Sequence, residues 1–189
     1  MNVWKIYSRE AATTKTHQEF ARECYQAGVI AVGWNQIGDL NAIPTRDRLH
    51  ELLTAKCGHW ADYNANAISQ WTGSLWSFRT EVQPGDYVVC PDGESDQYYV
   101  GRIQSARVYR DKRPLGGTCP FANRRKVKWL RILNRAQIEK IWPSGQFGRP
   151  ANGLEHPATH GPAPKALEQT ATLVCPAPLP SDPARHGMG

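Results

Sequence analysis

The sequence predicts an α+β fold: a small, strongly curved, mostly antiparallel β-sheet or barrel, with helices inserted between its early strands. Two successive residue patterns along the 189-residue chain predict this fold. Up to about residue 80, short apolar runs alternate with helical patterns, and from there to residue 132 strand patterns and turns follow one another. With 40% hydrophobic and 10% aromatic residues, the chain is long enough for one domain with a core and too short for two of ordinary size.

The first half of the chain alternates between strands and amphipathic helices. The predicted elements, in order, are a strand at 3–7, a helix at 17–26 that Thr16 caps and Gly28 ends, a strand at 29–34, a helix that begins at 44–47 and ends near 57–58, and a helix at 62–78. In the last helix the apolar positions Ile68, Trp71, Leu75 and Phe78 have the 3–4 spacing of one helix face.

The second half of the chain is predicted to form β-structure. Its predicted elements are a turn at 83–86, a strand at 87–90, a loop at 91–96, a long strand over 98–103 and 106–109, a strand at 125–132 and a helical turn at 135–141. Gly101 is a candidate position for a β-bulge in the long strand. The strand at 125–132 alternates basic and apolar residues, which predicts one solvated, cationic face.

The C-terminal part has a different composition. From Pro150 onward it carries 8 of the 14 prolines, and such a segment has too little apolar surface to offset the entropy lost on ordering. We therefore predict one folded domain at 1–145 and a Pro-rich linker or disordered tail at 146–189.

The charge is unevenly distributed along the chain. The formal net charge is +6, yet residues 1–101 hold 8 Lys/Arg against 12 Asp/Glu, whereas residues 102–149 hold 13 Lys/Arg against 2 Asp/Glu. A basic segment inside an otherwise acidic domain is typical of a surface that binds a polyanion, the alternative being a merely soluble basic surface.

Several classes of protein are excluded by what the sequence lacks. No apolar stretch is long enough for a membrane span and the N-terminus has no signal region, so we expect a cytoplasmic protein without a membrane partner. The five cysteines include no CxxC pair, so we expect free thiols, no metal and no cofactor. Nucleophile-elbow, zinc-protease, P-loop, dinucleotide-binding and PD-(D/E)xK nuclease patterns are absent, and we expect no enzyme activity.

A set of short motifs follows a recognisable order. These are Gly33-Trp34 with Asp39-Leu40, Ile68-Ser69-Gln70-Trp71 with Leu75-Trp76-Ser77-Phe78, Gln83-Pro84-Gly85-Asp86-Tyr87-Val88-Val89, Tyr98-Tyr99-Val100-Gly101-Arg102-Ile103, and Arg124-Arg125-Lys126-Val127-Lys128-Trp129-Leu130. Each is weak alone. Together, over about residues 2–135, they resemble the EVE-like branch of the PUA superfamily, and more closely the N-terminal specificity domains of modification-dependent restriction endonucleases.

The resemblance implies a PUA-like β-barrel that takes a single base out of a nucleic acid into an aromatic-walled pocket. Relatives of this kind read 5-methylcytosine or 5-hydroxymethylcytosine in DNA, and others in the superfamily read methylated adenine in RNA. The candidate pocket residues are Trp34, Asn35, Gln36, Asp39, Ser69, Trp71 and Trp76. The candidate phosphate-binding residues are Arg102, Arg107, Arg110, Lys112, Arg113, Arg124, Arg125, Lys126 and Lys128.

The aromatic candidates each have a structural alternative. Trp71 is in phase with the apolar stripe of its helix, and Trp129 alternates with Val127, so both are predicted to pack in the core. Trp76 is out of phase with that stripe and suits a pocket. Trp34 ends a strand before a polar loop, which favours a pocket wall over a core plug. Asp39 can equally serve to form a turn.

Three functions remain open at this point. The first is a modified-DNA reader that forms the recognition part of a restriction or defence system, with a separate nuclease as partner, since no nuclease pattern follows the linker. The second is an RNA-binding PUA-like module. The third is an enzyme that acts on a nucleotide or small substrate in the same cavity, for which Asp39 with Asp86 is the acid/base pair to examine.

Overall fold

A computed structural model describes residues 2–8, 20–58, 66–93, 95–141 and 154–155. These residues form an α+β fold. The strands are β1 (Val3–Ile6), β2 (Val29–Val32), β3 (Tyr87–Pro91), β4 (Gln97–Ile103), β5 (Tyr109–Arg110), β6 (Asn123–Asn134) and β7 (Leu154–Glu155). The α-helices are α1 (Ala21–Gln26), α2 (Arg46–Cys57), α3 (Ala67–Thr80) and α4 (Arg135–Ile141).

The strands form one curled sheet in the order β2-β6-β4-β3-β1-β7. The long strand β6 pairs first with β2 and β5 and then with β4, and among the described pairs only β1 with β3 is parallel. Beyond β1, the Ser8 hydroxyl donates to the Ala31 carbonyl of β2 at 3.1 Å, so the two ends of the sheet approach each other. The predicted curved, mostly antiparallel sheet with inserted helices is confirmed as a half-barrel.

A β-bulge interrupts the pairing of β4 with β6. The register shifts between Val100 and Gly101, at the position that the sequence marked. A Cβ atom on Gly101 would lie 2.5 Å from Val127 Cγ1 and 2.9 Å from the Lys128 carbonyl oxygen. A side chain therefore has no room here, and glycine is what allows the sheet to bend so closely on itself.

The helices and strands start and end for local reasons. Thr45 caps α2, because its hydroxyl accepts a hydrogen bond from the Arg48 amide at 3.1 Å. The predicted strand at 29–34 ends at Val32, since Trp34 has left-handed backbone angles. The predicted beginnings of the helices at 17–26 and 62–78 lie outside the described residues.

Two faces of the sheet carry different side chains. The concave face packs on α2 and α3 in the main core, which includes Trp4, Leu49, Leu75 and Val127. On the opposite face, a smaller cluster of residues from β3, β4 and β6 packs against Ile138 of α4. The core of the domain therefore lies inside the curl.

Leu154 and Glu155 belong to the segment predicted as a linker or tail, yet they pair with Ile6 and Lys5 of β1. Two paired residues do not decide whether 146–189 is a linker or tail. It stays a prediction, because the rest of that segment lies outside the described ranges. Within the described ranges, no α-helix combines the length and apolar character needed to cross a membrane.

Candidate nucleic-acid interface

Trp34 has an unusual backbone conformation. Its φ of 58° and ψ of 42° are left-handed, and it is the one non-glycine residue with positive φ among the described residues. For a bulky L-residue this conformation costs about 1–2 kcal/mol, so the surrounding structure must impose it. The half-buried indole lies 5.8 Å from the ring of Trp71 on α3, with the ring planes at 53°. Backbone strain of this kind is enriched at functional sites.

Two asparagine side chains hold the loop that carries Trp34. Asn35 donates from Nδ2 to the Pro120 carbonyl at 2.7 Å, and its Oδ1 accepts the Ala122 amide at 2.9 Å. Asn123 at the start of β6 accepts the Leu40 amide at 3.1 Å and donates to the Gly38 carbonyl at 3.0 Å. The predicted role of Asn35 in contacting a base is thereby corrected: its amide binds backbone and positions Trp34.

Gln36 and Asp39, the two other polar pocket candidates in this loop, differ in their hydrogen bonds. Gln36 is exposed, and its backbone carbonyl accepts the Lys56 ammonium at 2.9 Å. Asp39 Oδ1 accepts the Asn41 amide at 2.9 Å and caps a short 3₁₀ turn, Leu40–Ala42. Asp39 therefore forms a turn, which was the alternative to its role in a pocket.

Only one of the α3 candidates lies beside Trp34. Trp71 is 7% exposed and belongs to the main core, as predicted. Each residue of an α-helix is rotated by about 100° from the one before, so Trp76 and Ser69 point about 140° and 160° away from Trp71. The described ring contact with Trp34 is therefore that of Trp71, and the grouping of Ser69 and Trp76 with it stays a prediction. Trp76 instead lies under the Arg79 guanidinium, whose carbon is 4.8 Å from the ring centroid.

A second loop, residues 107–113, brings cations to the Trp34 loop. Asn41 Nδ2 donates to the Val108 carbonyl and ties the two loops together. Arg110 Nη1 would lie 3.4 Å from a Cβ on Gly38, and its Nε is buried without a hydrogen-bond partner. The other cations of this loop are the exposed residues Arg107, Lys112 and Arg113.

Asp111 reduces the charge that this loop presents. Its carboxylate lies 2.8 Å from Arg113 Nη2, and the hydrogen bonds from Arg113 hold the pKa of Asp111 well below its usual range. Arg113 is nevertheless 89% exposed, so it stays available at the surface. Arg107, Arg110 and Lys112 are the remaining candidates for phosphate in this loop.

Three further cations lie on the convex face of the sheet. Arg102 and Lys128 are directly opposite each other across β4 and β6, and Lys126 lies two residues before Lys128 on the same, exposed side. The Arg102 guanidinium stacks 4.7 Å above the Tyr87 ring and donates to its hydroxyl at 2.8 Å. The predicted cationic face of this strand is present at these positions, and Tyr87 is a member that the sequence did not indicate.

Arg125 does not belong to either cationic surface. It is fully buried and donates to the carbonyls of Phe78, Arg79 and Ser105 at 2.8, 2.8 and 3.0 Å. Burial lowers its pKa to about 10, which leaves it protonated at neutral pH. Its predicted phosphate contact is wrong, because the guanidinium supplies the donors that the C-terminal carbonyls of α3 need.

Arg124 is buried as well, at 3% exposure. It donates to the Phe121 carbonyl at 2.8 Å and lies 3.5 Å from Asp111. The prediction that it binds phosphate is also wrong. The predictions for Arg124 and Arg125 failed for the same reason: a run of basic residues in a sequence does not show which side chains of a strand point into the fold.

Asp39 and Asp86, the acid/base pair to examine for an enzyme, have separate hydrogen-bond partners. Asp86 is 4% exposed and accepts the amides of Asn2 and Gln83 and the indole N–H of Trp4 at 2.8–3.0 Å. Asp39 caps its own turn. Each carboxylate thus has a structural role, and neither accepts a hydrogen bond from the other's partners. No group of three or more His, Cys, Asp or Glu side chains suited to a metal ion occurs in the described part of the chain.

Trp129 is less buried than its predicted core position implies. It is half-buried beside Tyr99 and Tyr25, with ring centroids 6.2 and 5.7 Å away, and its Nε1 is buried without a partner. The bulge at Gly101 shifts its place in the sheet and brings it against α1.

Comparison with known proteins gives one match. No curated protein and no solved structure matches the chain. A family model described as a domain of unknown function, DUF8426, matches residues 4–149, which are most of the chain. The protein belongs to this family.

Proposed function

We propose that this protein is a nucleic-acid-binding module that reads a modified base, 5-methylcytosine or 5-hydroxymethylcytosine in DNA, through a PUA-like (EVE-like) barrel. The single observation that carries the proposal is Trp34: a half-buried indole with strained backbone, held by a hydrogen-bonded loop beside cations. Trp34 packs against the main core with part of its indole exposed, so one side of the ring is supported and another is open to a ligand.

Trp34 supplies the stacking surface in this proposal. Extruding a base from a duplex costs a few kcal/mol, and stacking on an aromatic side chain returns about 1–3 kcal/mol per base. Trp71 supports the Trp34 ring from the core side rather than forming a second open wall, since it is almost fully buried. Pre-formed support lowers the entropy lost on binding.

Phosphate groups are held by the two cationic surfaces. Arg107, Arg110 and Lys112 belong to the loop tied to the Trp34 loop, and therefore suit the phosphates flanking the extruded base. Arg102, Lys126 and Lys128 on the convex face suit a more distant part of the backbone. Contacts of this kind position the nucleic acid without reading its sequence.

Cleavage is assigned to another protein in this proposal. Asp39 and Asp86 are the acid/base pair to examine for an enzyme, and their bonds to the Asn41 amide and the Trp4 indole N–H support structural roles instead. The chain would then supply recognition in a restriction or defence system, with a nuclease as separate partner.

Binding to matched oligonucleotides tests the proposal. The full chain is titrated with DNA duplexes that carry cytosine, 5-methylcytosine or 5-hydroxymethylcytosine at one position, and with RNA of the same sequence. We expect tighter binding to one modified DNA than to its unmodified counterpart, and weakening of all binding by salt. Equal affinity for all DNAs, or a preference for RNA, would overturn the assignment to modified DNA; absence of any binding would overturn the nucleic-acid function itself.

A further inference from the structure

Cys24 on α1 and Cys119 lie side by side although 95 positions separate them in the chain. Both are fully buried in one cluster with Phe20, Val29 and Phe121. Their neighbours along the chain also touch, because the Thr118 hydroxyl donates to Glu23 Oε1 at 3.0 Å. The turn that precedes Cys119 therefore lies against α1 beside Cys24, and a Cβ on Gly116 would lie 2.9 Å from Glu23 Cγ.

The two thiols lie in one buried cluster and differ in acidity. Interaction with the Cys24 thiol lowers the pKa of Cys119, and the charge of Arg124 lowers it further against the effect of burial. Interaction with Cys119, together with burial, raises the pKa of Cys24 well above its usual value. Cys119 is thus the better nucleophile of the pair, because the thiolate is the reactive form.

We propose that Cys24 and Cys119 form an oxidisable dithiol pair that hydrogen peroxide converts into a disulfide. The Cys119 thiolate attacks one peroxide oxygen, the O–O bond breaks, and hydroxide leaves, which gives a sulfenic acid at Cys119. The Cys24 sulfur then attacks this sulfur and displaces the oxygen as water, with the Cys24 proton. The two thiols lose two electrons in total, and the peroxide takes them up.

Peroxide reaches Cys119 through the turn that precedes it. Residues 116–118 are exposed, and Gly116 and Gly117 have positive φ angles of 55° and 80°. Leu115 and Cys119 close this turn by backbone hydrogen bonds at 2.9 and 3.0 Å. Local opening of such a short surface turn costs much less than global unfolding, so oxidation is slow but does not require a denatured chain.

Oxidation would act on the loop that carries Trp34. Pro120 and Ala122, which hold Asn35, come directly after Cys119, and the ring of Phe121 would lie 3.3 Å from a Cβ on Gly33. A disulfide at Cys119 would fix this segment to α1 and restrict the Trp34 loop further. This consequence rests on the proposed function, whereas disulfide formation does not.

Peptide mapping of the full chain tests the dithiol pair directly. Trypsin separates the relevant cysteines, since Cys24 falls in residues 23–46, Cys57 in 57–79, Cys90 in 80–102 and Cys119 in 113–124. The folded protein is treated with hydrogen peroxide, its free thiols are alkylated, and it is digested without reduction. We expect peptides 23–46 and 113–124 to be joined, with a mass lower by two hydrogen atoms than their sum and separable by reductant. Both peptides in alkylated form, or a link from Cys24 to Cys90, would overturn the proposal.

Variants assign the roles within the pair. Cys24→Ser should leave a sulfenic acid at Cys119 that dimedone traps, and Cys119→Ser should abolish both products. Cys57→Ser is the control, because Cys57 lies in the main core and its loss should leave the link unchanged. A sulfenic acid that dimedone traps on Cys24 in the Cys119→Ser variant would contradict the mechanism.

The effect on the Trp34 loop has a separate readout. The oxidised protein should melt at a higher temperature and bind the modified oligonucleotide more tightly than the reduced protein. Formation of the disulfide without any change in that affinity would overturn the coupling and leave the dithiol assignment standing. Failure of all oligonucleotide binding concerns the proposed function alone.

Discussion

At the scale of single residues, Trp34 combines a large side chain with a backbone conformation that suits glycine. Replacing the indole by a methyl group removes its packing on Trp71 but keeps the strain, whereas glycine removes both. We therefore predict that Trp34→Gly is more stable than Trp34→Ala by roughly 1 kcal/mol, the reverse of the usual order. Urea unfolding of the two variants measures the difference. A more stable alanine variant would mean that the loop leaves the left-handed region when the indole is lost.

The sequence predicted some of the site residues and missed others for a physical reason. Trp34 could be chosen as a candidate because an aromatic residue at a strand end before a polar loop is conspicuous. Asn123 was missed, since a side-chain amide that binds the backbone of a distant loop leaves no local pattern. Asn35 was assigned to the ligand for the same reason: its partners, Pro120 and Ala122, are 85 and 87 residues away in the chain.

At the scale of elements, the bulge at Gly101 shapes the sheet between its two longest strands. Gly101→Ala would place a Cβ 2.5 Å from Val127 Cγ1 and 2.8 Å from Trp129 Cε3. We expect a loss of about 1–3 kcal/mol in the free energy of unfolding, as for other overpacked positions. Urea unfolding again provides the measurement.

Gly58→Ala is the matched control for this change. A Cβ on Gly58 would have no atom within 4 Å, and its φ of −58° suits any residue. Its stability should therefore stay near that of the wild type. An equal loss in both variants would show that the tight fit at Gly101 is not the cause.

Most elements could be predicted because their signals are local. The cap at Thr45, the leucines of α2 and the turn at 83–86 each act within a few residues. Strand β6 shows where local signals fail. Its basic residues suggest one solvated face, yet Lys126 and Lys128 are exposed whereas Arg125 binds the end of α3. The reason is that successive side chains of a strand alternate between the two faces of the sheet.

At the scale of the whole molecule, buried and exposed cations should have separable effects. Lys126→Ala and Lys128→Ala should each make the negative slope of log affinity against log salt less steep by about 0.9. Each should also weaken binding to modified and unmodified DNA alike. Arg125→Met should leave that slope unchanged. It should instead reduce stability, because three carbonyls lose a donor at about 1–3 kcal/mol for each unsatisfied group.

Binding titrations over a range of salt concentrations, with melting temperatures of the same proteins, test this division. If the two lysine variants bind like the wild type at every salt concentration, the convex face is not a phosphate-binding surface. If Arg125→Met changes the slope in a folded protein, the structural role of Arg125 is incomplete.

The central claim is that Trp34 reads the base, and one comparison tests it most directly. The affinities of the wild type, Trp34→Ala and Trp76→Ala are measured for one modified duplex and its unmodified counterpart, with the melting temperature of each protein. Trp76 is a matched control, since it is also half-buried but lies under Arg79 and away from Trp71. We predict that Trp34→Ala stays folded and keeps its salt-dependent binding while its preference for the modified base falls by about 1–3 kcal/mol, and that Trp76→Ala keeps the preference. A Trp34→Ala protein with intact preference for the modified base would contradict the account. So would one whose free energy of unfolding falls by the roughly 3–5 kcal/mol expected when a core residue is removed.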